Sequence, residues 1–375
     1  STMLRGVTSE FWRFAEEIEA VSSSQPFVVT RELIAEYLRV PLSVEADPAK
    51  RTAGNLAAVD VLSSGRPLGE RERRVLAGYT GWGGLSIERI ADRLPQKWTP
   101  EPSALIHEYY TPPLLCLELA RVLRRYVEAL AKTNGKVIAL EPSAGIGRFV
   151  HALSGAGYEN VEWTAVEYSP ISAAILAAMR PDIRVVQGSF ESFVTKEEES
   201  LLGQVHLVVS NPPYGERGAT TSEDPNPDYQ DRKAYVYFLR RCLDALAALG
   251  YGVFLIPYGF LTGQNGEMTA LRKRVLKRHH LMAAFRLPSS LFPGANIVTD
   301  LILFQSRGGE LAEVDKDDEA IVEGRYFELF PSHLLGTEVR SDDAEAQQRT
   351  GKKPRFGYEV MGVFQKLPDF EPRPL

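Results

Sequence analysis

The sequence predicts an α/β fold: a doubly wound, mostly parallel, seven-stranded Rossmann-like sheet preceded by a helical N-terminal region. Three observations predict it. From about residue 106, short apolar runs alternate with helical patterns, the mark of strands joined by crossover helices. One strand-to-helix turn is glycine-rich, Ala144-Gly145-Ile146-Gly147. The last two apolar runs, 281–287 and 301–305, have no helical pattern between them, which predicts an antiparallel ending.

Taken in order, residues 8–105 read as mainly helical. Phe11, Phe14, Ile18 and Val21 fall at helical spacing after Thr8 and Ser9, which can cap. Leu33, Ile34, Tyr37 and Leu38 do the same after Thr30, and a third helix is expected over 52–63. A glycine-rich turn, Gly78-Tyr79-Thr80-Gly81-Trp82-Gly83-Gly84, comes next, and the three prolines within 94–102 read as a linker. The sheet region then runs strand 137–140, helix 148–153, strand 163–166, helix 171–179, and strands 183–186 and 205–209. Helix 234–249, strand 252–256 and helix 269–277 precede the closing strand pair. The expected divisions are a helical region 1–105, a sheet domain 106–309 and a small charged appendage 310–375.

Composition narrows the class. Hydrophobic residues make up 44% and charged residues 25% of 375, as in an ordinary globular chain with a large core. The densest apolar stretch, 251–261, is broken by Gly252, Pro257 and Gly259, far from the roughly 18 apolar residues of a membrane span. No basic-then-apolar leader opens the chain, and Ser1-Thr2 before Met3 read as a cloning remnant. Cys116 and Cys242 sit among apolar neighbours at helical spacing, which predicts buried free thiols in a reducing cytoplasm, with no metal site. The net charge of −6 argues against a surface that wraps nucleic acid all round, but it leaves room for a local basic groove. Arg272 and Arg274 lie in the richest basic stretch and are candidates for phosphate contact, although Lys/Arg near a helix C-terminus also answer the helix dipole.

The chemistry gathers in two loops. Glu141-Pro142-Ser143-Ala144-Gly145-Ile146-Gly147-Arg148-Phe149 follows a strand and opens a helix, the cradle for a nucleoside or dinucleotide. Glu167, followed by Tyr168, ends the next strand, where a carboxylate can accept both ribose hydroxyls. Val150 stands where a dinucleotide fingerprint has its third glycine, so the usual pyrophosphate packing is missing. The second loop is Asn211-Pro212-Pro213-Tyr214, at the end of the 205–209 strand.

The two loops together resemble the N6-adenine methyltransferases. The motif order is similar to that of the gamma class, and the resemblance runs over about residues 78–306. It implies S-adenosylmethionine (SAM) as cofactor, DNA as substrate, and a target adenine flipped out of the duplex. Adenine N6 is a poor nucleophile, because its lone pair is delocalised into the ring. Attack on a methyl group makes that nitrogen tetrahedral and positive, so the site needs acceptors rather than an acid. The Asn211 side-chain oxygen and the Pro212 carbonyl can take the two N6 hydrogens, the prolines stiffen the loop, and Tyr214 can stack on the adenine.

Further positions follow from the resemblance. Tyr110 and Thr111, in His107-Glu108-Tyr109-Tyr110-Thr111-Pro112, match the segment at the methionine end of SAM. Ser189 stands where the family often has an acidic residue near the SAM adenine, and Phe190 is expected to pack on that ring. Leu287-Pro288 to Phe292-Pro293, then Asn296 to Phe304, resembles the family's late loop and final strand. Gly81-Trp82-Gly83-Gly84-Leu85 is similar to an upstream segment of large adenine methylases of phage-defence and mobile-element systems, and reads as structural. The segment 216–233, rich in Gly, Pro, Asp and Thr, is expected to be a mobile loop. Its acidic middle would repel phosphate, while Arg217, Arg232 and Lys233 at its ends would grip the backbone. A separate specificity, helicase or restriction subunit is an expected partner. The same tetrapeptide also serves RNA adenine and protein glutamine-amide methylation, and a non-catalytic nucleic-acid-binding subunit is the remaining alternative.

Overall fold

A computed structural model describes residues 36, 38–40, 45–86, 90–99, 110–155, 160–292, 297–340 and 357–373. The helix expected over 11–21, nearly all of that over 33–38, and His107, Glu108, Tyr109, Pro293 and Asn296 lie outside them.

The apolar runs become seven strands: β1 (Val137–Glu141), β2 (Val161–Glu167), β3 (Arg184–Gln187), β4 (Val205–Ser210), β5 (Leu246–Pro257), β6 (His279–Arg286) and β7 (Thr299–Ser306). They form one doubly wound sheet in the order β3-β2-β1-β4-β5-β7-β6. Pairing is parallel from β3 across to β5, and β7 runs antiparallel between β5 and β6. The short connection from β6 to β7 cannot hold a crossover helix, so the chain must reverse direction there. The strand order turns at β1 and β4, which opens a crevice at their C-terminal ends.

The N-terminal layer is α1 (Pro48–Ser64) and α2 (Glu70–Ala77). Asp47 accepts the N–H groups of Ala49 and Lys50, Pro48 occupies the first turn, and Gly65 closes α1 at φ +59°. The crossover helices are α3 (Pro113–Asn134), α4 (Arg148–Gly155), α5 (Pro170–Met179), α6 (Phe190–Leu201), α7 (Ala234–Ala245) and α8 (Gly266–Arg278); α9 (Lys316–Val322) follows the sheet. β5 shows why the sheet is covered on both faces. Val253 and Leu255 join one buried cluster with Leu119 and Leu123 of α3, while Phe254 and Ile256 join another with Leu239 and Leu243 of α7.

Several expectations change, among them the stretch between β3 and β4, read without a helix and filled by α6. The helix expected to run to Leu249 stops at Ala245, and Leu246 pairs with Val205 instead. Leu249 turns at φ +63°, and a Cβ on Gly250 would come 3.0 Å from the His206 and Val205 carbonyls, so a side chain there would push the strands apart. α2 was not expected; it packs on α5, where Arg73 donates to the Met179 carbonyl at 3.3 Å. Residues beyond 310 do not stand apart from the sheet. Phe364 and Leu367 enter the core, Arg373 donates to the Leu281 carbonyl at 2.8 Å, and a hairpin of β8 (Thr337–Arg340) and β9 (Tyr358–Met361) lies nearby in sequence.

Candidate active site

The glycine loop is held in a shape that no other residues would adopt. Gly145 and Gly147 have φ of +55° and +78°. A Cβ on Gly145 would lie 2.3 Å from the Tyr110 ring, and one on Gly147 would lie 2.4 Å from Leu176. Ala144 donates to the Val166 carbonyl at 2.9 Å, tying the loop to β2. The Glu167 carboxylate completes the tie, accepting the Gly145 N–H at 2.6 Å and the Ser169 N–H at 2.7 Å. Tyr168 beside it is 54% exposed, an aromatic face available at the mouth of the cradle.

Glu141 and Pro142 are buried at the base of the cradle. Oε2 of Glu141 has no hydrogen-bond partner. Burial pushes its carboxyl well above the usual range, the Glu167 charge adds to this, and the Val150 N–H opposes it. A buried carboxyl oxygen without a partner, beside the Glu167 carboxylate, fits a nucleoside that carries positive charge.

Behind the cradle stands the N-terminal layer. The Tyr110 hydroxyl is 2.6 Å from Ser172 Oγ, and its ring meets Tyr79 edge-on at 6.0 Å. Tyr79 and Trp82 are fully buried. Arg51 donates to the carbonyls of Gly81 and Gly83 at 3.3 and 3.0 Å, and Asn55 donates to that of Gly81 at 2.6 Å. The glycine-tryptophan segment therefore braces the tyrosine that closes the cradle. Sequence reasoning missed Arg51, Asn55 and Ser172, since nothing local marks them as partners of a distant turn.

The second loop leaves β4 next to the cradle, and Ser143 Oγ donates to the Asn211 carbonyl at 3.0 Å. Asn211 Nδ2 donates to Thr111 Oγ1 at 3.1 Å, and its Oδ1 accepts the Tyr214 hydroxyl at 2.9 Å. That hydroxyl also reaches the Leu255 carbonyl at 3.1 Å. Burial pushes the Tyr214 phenol well up and the Asp300 charge adds to this, so it stays a donor. The two bonds fix which way the Asn211 amide faces. Pro212 is buried and holds the loop in place.

Several expected site residues have other duties. Phe190 is 3% exposed and packs 4.7 Å from Phe238, so it is a core residue rather than an open ring for a cofactor. Ser189 caps α6 by accepting the Ser192 N–H at 3.1 Å, and its hydroxyl donates to Glu223. Arg217 is buried: it pairs with Glu191 at 3.2 Å, donates to the Tyr229 carbonyl at 2.8 Å and lies over the Tyr237 ring. It cannot grip a phosphate without vacating that site. Arg272 is fully buried and donates to the carbonyls of Val322, Phe260 and Gly263 at 2.7–2.9 Å, so its expected phosphate role is corrected too. Arg232, Lys233 and Arg274 are exposed, with Arg232 paired to Glu216 at 2.9 Å.

The 216–233 segment is not the unstructured loop expected. It forms short 3-10 helices at Gly218–Glu223 and Pro227–Tyr229, and Glu216 bridges to Lys233 where it enters and leaves. Two of its acidic residues turn to arginines of α7: Asp224 pairs with Arg241 at 2.7 Å and Asp231 with Arg240 at 2.5 Å, while Glu216, Glu223 and Asp228 are exposed. The Arg240-Arg241 pair on α7 was the overlooked signal.

Residues 96–322 match the N-6 DNA Methylase family, and the chain belongs to that family. Among curated proteins it is similar to Defense against restriction protein B of Escherichia phage P1, 29% identical over 309 residues. That alignment covers 81% of this chain but 12% of the phage protein, so the chain spans a small part of its relative's length. It is 25% identical over 120 residues to the EcoKI methylase subunit of Escherichia coli K12, covering 31% of this chain and 21% of that one. Among solved structures, the EcoKI M protein aligns with a TM-score of 0.43 at 16% identity, covering 76% of this chain and 68% of the other. A class I S-adenosylmethionine-dependent methyltransferase from Listeria monocytogenes aligns with a TM-score of 0.46 at 15% identity, covering 77% and 90%.

Proposed function

We propose that this chain transfers a methyl group from SAM to N6 of an adenine in DNA, with the base turned out of the duplex into the space beside Asn211. The observation that carries this reading is the Asn211 amide, fixed by Thr111 and Tyr214 at the end of β4 and joined to the glycine cradle through Ser143. Membership of the N-6 DNA Methylase family supports the same substrate. SAM, when bound, supplies an electrophilic methyl group. The backbone of the Ala144–Gly147 turn lies along its nucleoside, Glu167 and Tyr168 meet the ribose and adenine, and Glu141, Tyr110 and Thr111 serve its charged end.

The chain's own groups then serve the nucleophile. The Asn211 side-chain oxygen and the Pro212 carbonyl accept the N6 hydrogens and draw the nitrogen lone pair out of conjugation. As N6 becomes positive, both acceptors gain strength at no reorganisation cost, because the loop is already held. Of the five candidate cations, Arg232, Lys233 and Arg274 are exposed and are left to meet phosphate. The protein would act in the cytoplasm of a bacterium or of a phage-infected cell, alongside a separate specificity, helicase or restriction subunit.

The test is transfer of labelled methyl from SAM to DNA, RNA and protein in parallel. DNA adenine is the expected acceptor, and Asn211→Ala should lower turnover by roughly 100-fold while SAM still binds. Label in RNA or in a protein amide, or normal turnover by the variant, would overturn the reading.

A further inference from the structure

We propose that a pocket beyond the end of β6, walled by the segment after α9, holds one nucleobase of the DNA flanking the target adenine and discriminates its identity. The proposal rests on the DNA reading above and adds a site to it. The pocket has a volume of about 630 Å3. Part of its wall, residues 324–340, lies past residue 322, where the family match stops.

The floor is built and rigid. Arg286 ends β6 and is 1% exposed. It forks onto Asp300 at 2.8 and 2.9 Å and donates to the Tyr358 hydroxyl at 2.9 Å. Thr262 Oγ1 and the Tyr258 carbonyl lie 3.3 Å from Nη2. With its charge matched by Asp300 and its donors engaged, Arg286 is a scaffold rather than an anion receptor. Its guanidinium lies 4.3 Å from the centre of the half-buried Phe327 ring, fixing an aromatic plane in the wall.

The lining identifies the occupant. Donors (Gln264, Arg325, Arg340) and acceptors (Glu328, Glu338) share the lining with that ring. A phosphate would face two carboxylates, and Arg325 is already matched by Glu323 at 2.5 Å. An apolar ligand would leave these groups unused. A nucleobase uses all three features: a π face to stack, and an edge of mixed donors and acceptors that Arg, Gln and Glu can tell apart.

The position fits as well. β4, β5 and β6 all run in the same direction, so Asn211, Tyr258 and Arg286 follow them on one rim of the sheet. Three strand spacings of roughly 4.8 Å put the pocket about 14 Å from Asn211. Along a duplex, that span is about four base pairs at ~3.4 Å each.

The experiment uses a duplex pool with four randomised base pairs on each side of a single adenine, methylated by the wild type and by the Arg340→Ala and Glu328→Gln variants, both changes at the rim. The wild type should prefer one base by about tenfold at one or two of those positions. The variants should flatten that preference with SAM affinity unchanged. No wild-type preference, or the same preference in both variants, overturns the proposal. A second arm needs no methyl transfer: affinity for a fluorescent duplex, read by anisotropy, should fall at least threefold in Arg340→Ala and Phe327→Ala. If the wild type methylates no DNA, the functional reading fails, and this arm alone decides the pocket. Equal affinity in all proteins, or no affinity in the wild type, overturns it.

Discussion

Replacing Tyr214 by phenylalanine separates two roles for that side chain. A ring that only stacks on the target base is unchanged by the substitution. In the structure, however, the hydroxyl shares its one proton between Asn211 Oδ1 at 2.9 Å and the Leu255 carbonyl at 3.1 Å. The Thr111 bond survives in Tyr214→Phe, so the amide of Asn211 is held from one side only. One net hydrogen bond of this kind is worth about 0.5–1.5 kcal/mol. At about 1.36 kcal/mol per tenfold, turnover should fall by about 2- to 12-fold, while the SAM dissociation constant stays within about twofold. Single-turnover methylation of DNA reads the first quantity and calorimetry the second. Thr111→Val removes the opposite bond and should cost a similar factor. Wild-type turnover in Tyr214→Phe would refute the orienting role and leave the ring alone as the useful part. A parallel collapse of SAM affinity would refute the division between the two loops.

Other outcomes follow from the same contacts. Glu167→Ala removes the carboxylate that ties Gly145 to Ser169, and calorimetry should record SAM affinity at least about tenfold weaker, in line with one to two charge-assisted hydrogen bonds; unchanged affinity would count against the cradle. Arg272→Met leaves three buried carbonyls without a donor and should destabilise the fold by about 3 kcal/mol in urea unfolding, with the salt dependence of DNA binding unaltered. A weaker salt slope would restore Arg272 as a phosphate contact. Burial, helped by nearby arginines, lowers His151 to about 3 and His280 to about 4. The unfolded imidazoles protonate near pH ~6.5, so below that pH the unfolded chain binds more protons. Stability is therefore complete above pH ~6.5 and falls as the pH drops toward about 4, with His280 accounting for about 3 kcal/mol; a urea midpoint unchanged between pH 7 and 4.5 would contradict this.

The sequence by itself determined the sheet, the glycine loop and the Asn-Pro-Pro-Tyr loop, because each depends on local order. Strand periodicity, a turn that demands positive φ at Gly145 and Gly147, and prolines that stiffen a strand end are all written within a few residues. It even marked the glycine-tryptophan segment as structural. Tertiary packing decided what local order cannot. Arg217 and Arg272 look like any surface arginine in sequence, and only the fold brings Glu191 to one and three carbonyls to the other. The acidic 216–233 segment reads as solvated until Arg240 and Arg241 of α7 turn toward it. Leu246 satisfies its backbone by pairing with Val205, which overrides a helical pattern that would have carried α7 further. Asn211 was legible as an acceptor. That Thr111, 100 positions away, and Tyr214, three away, set the direction its amide faces is a product of burial, where every polar atom must find its partner in three dimensions.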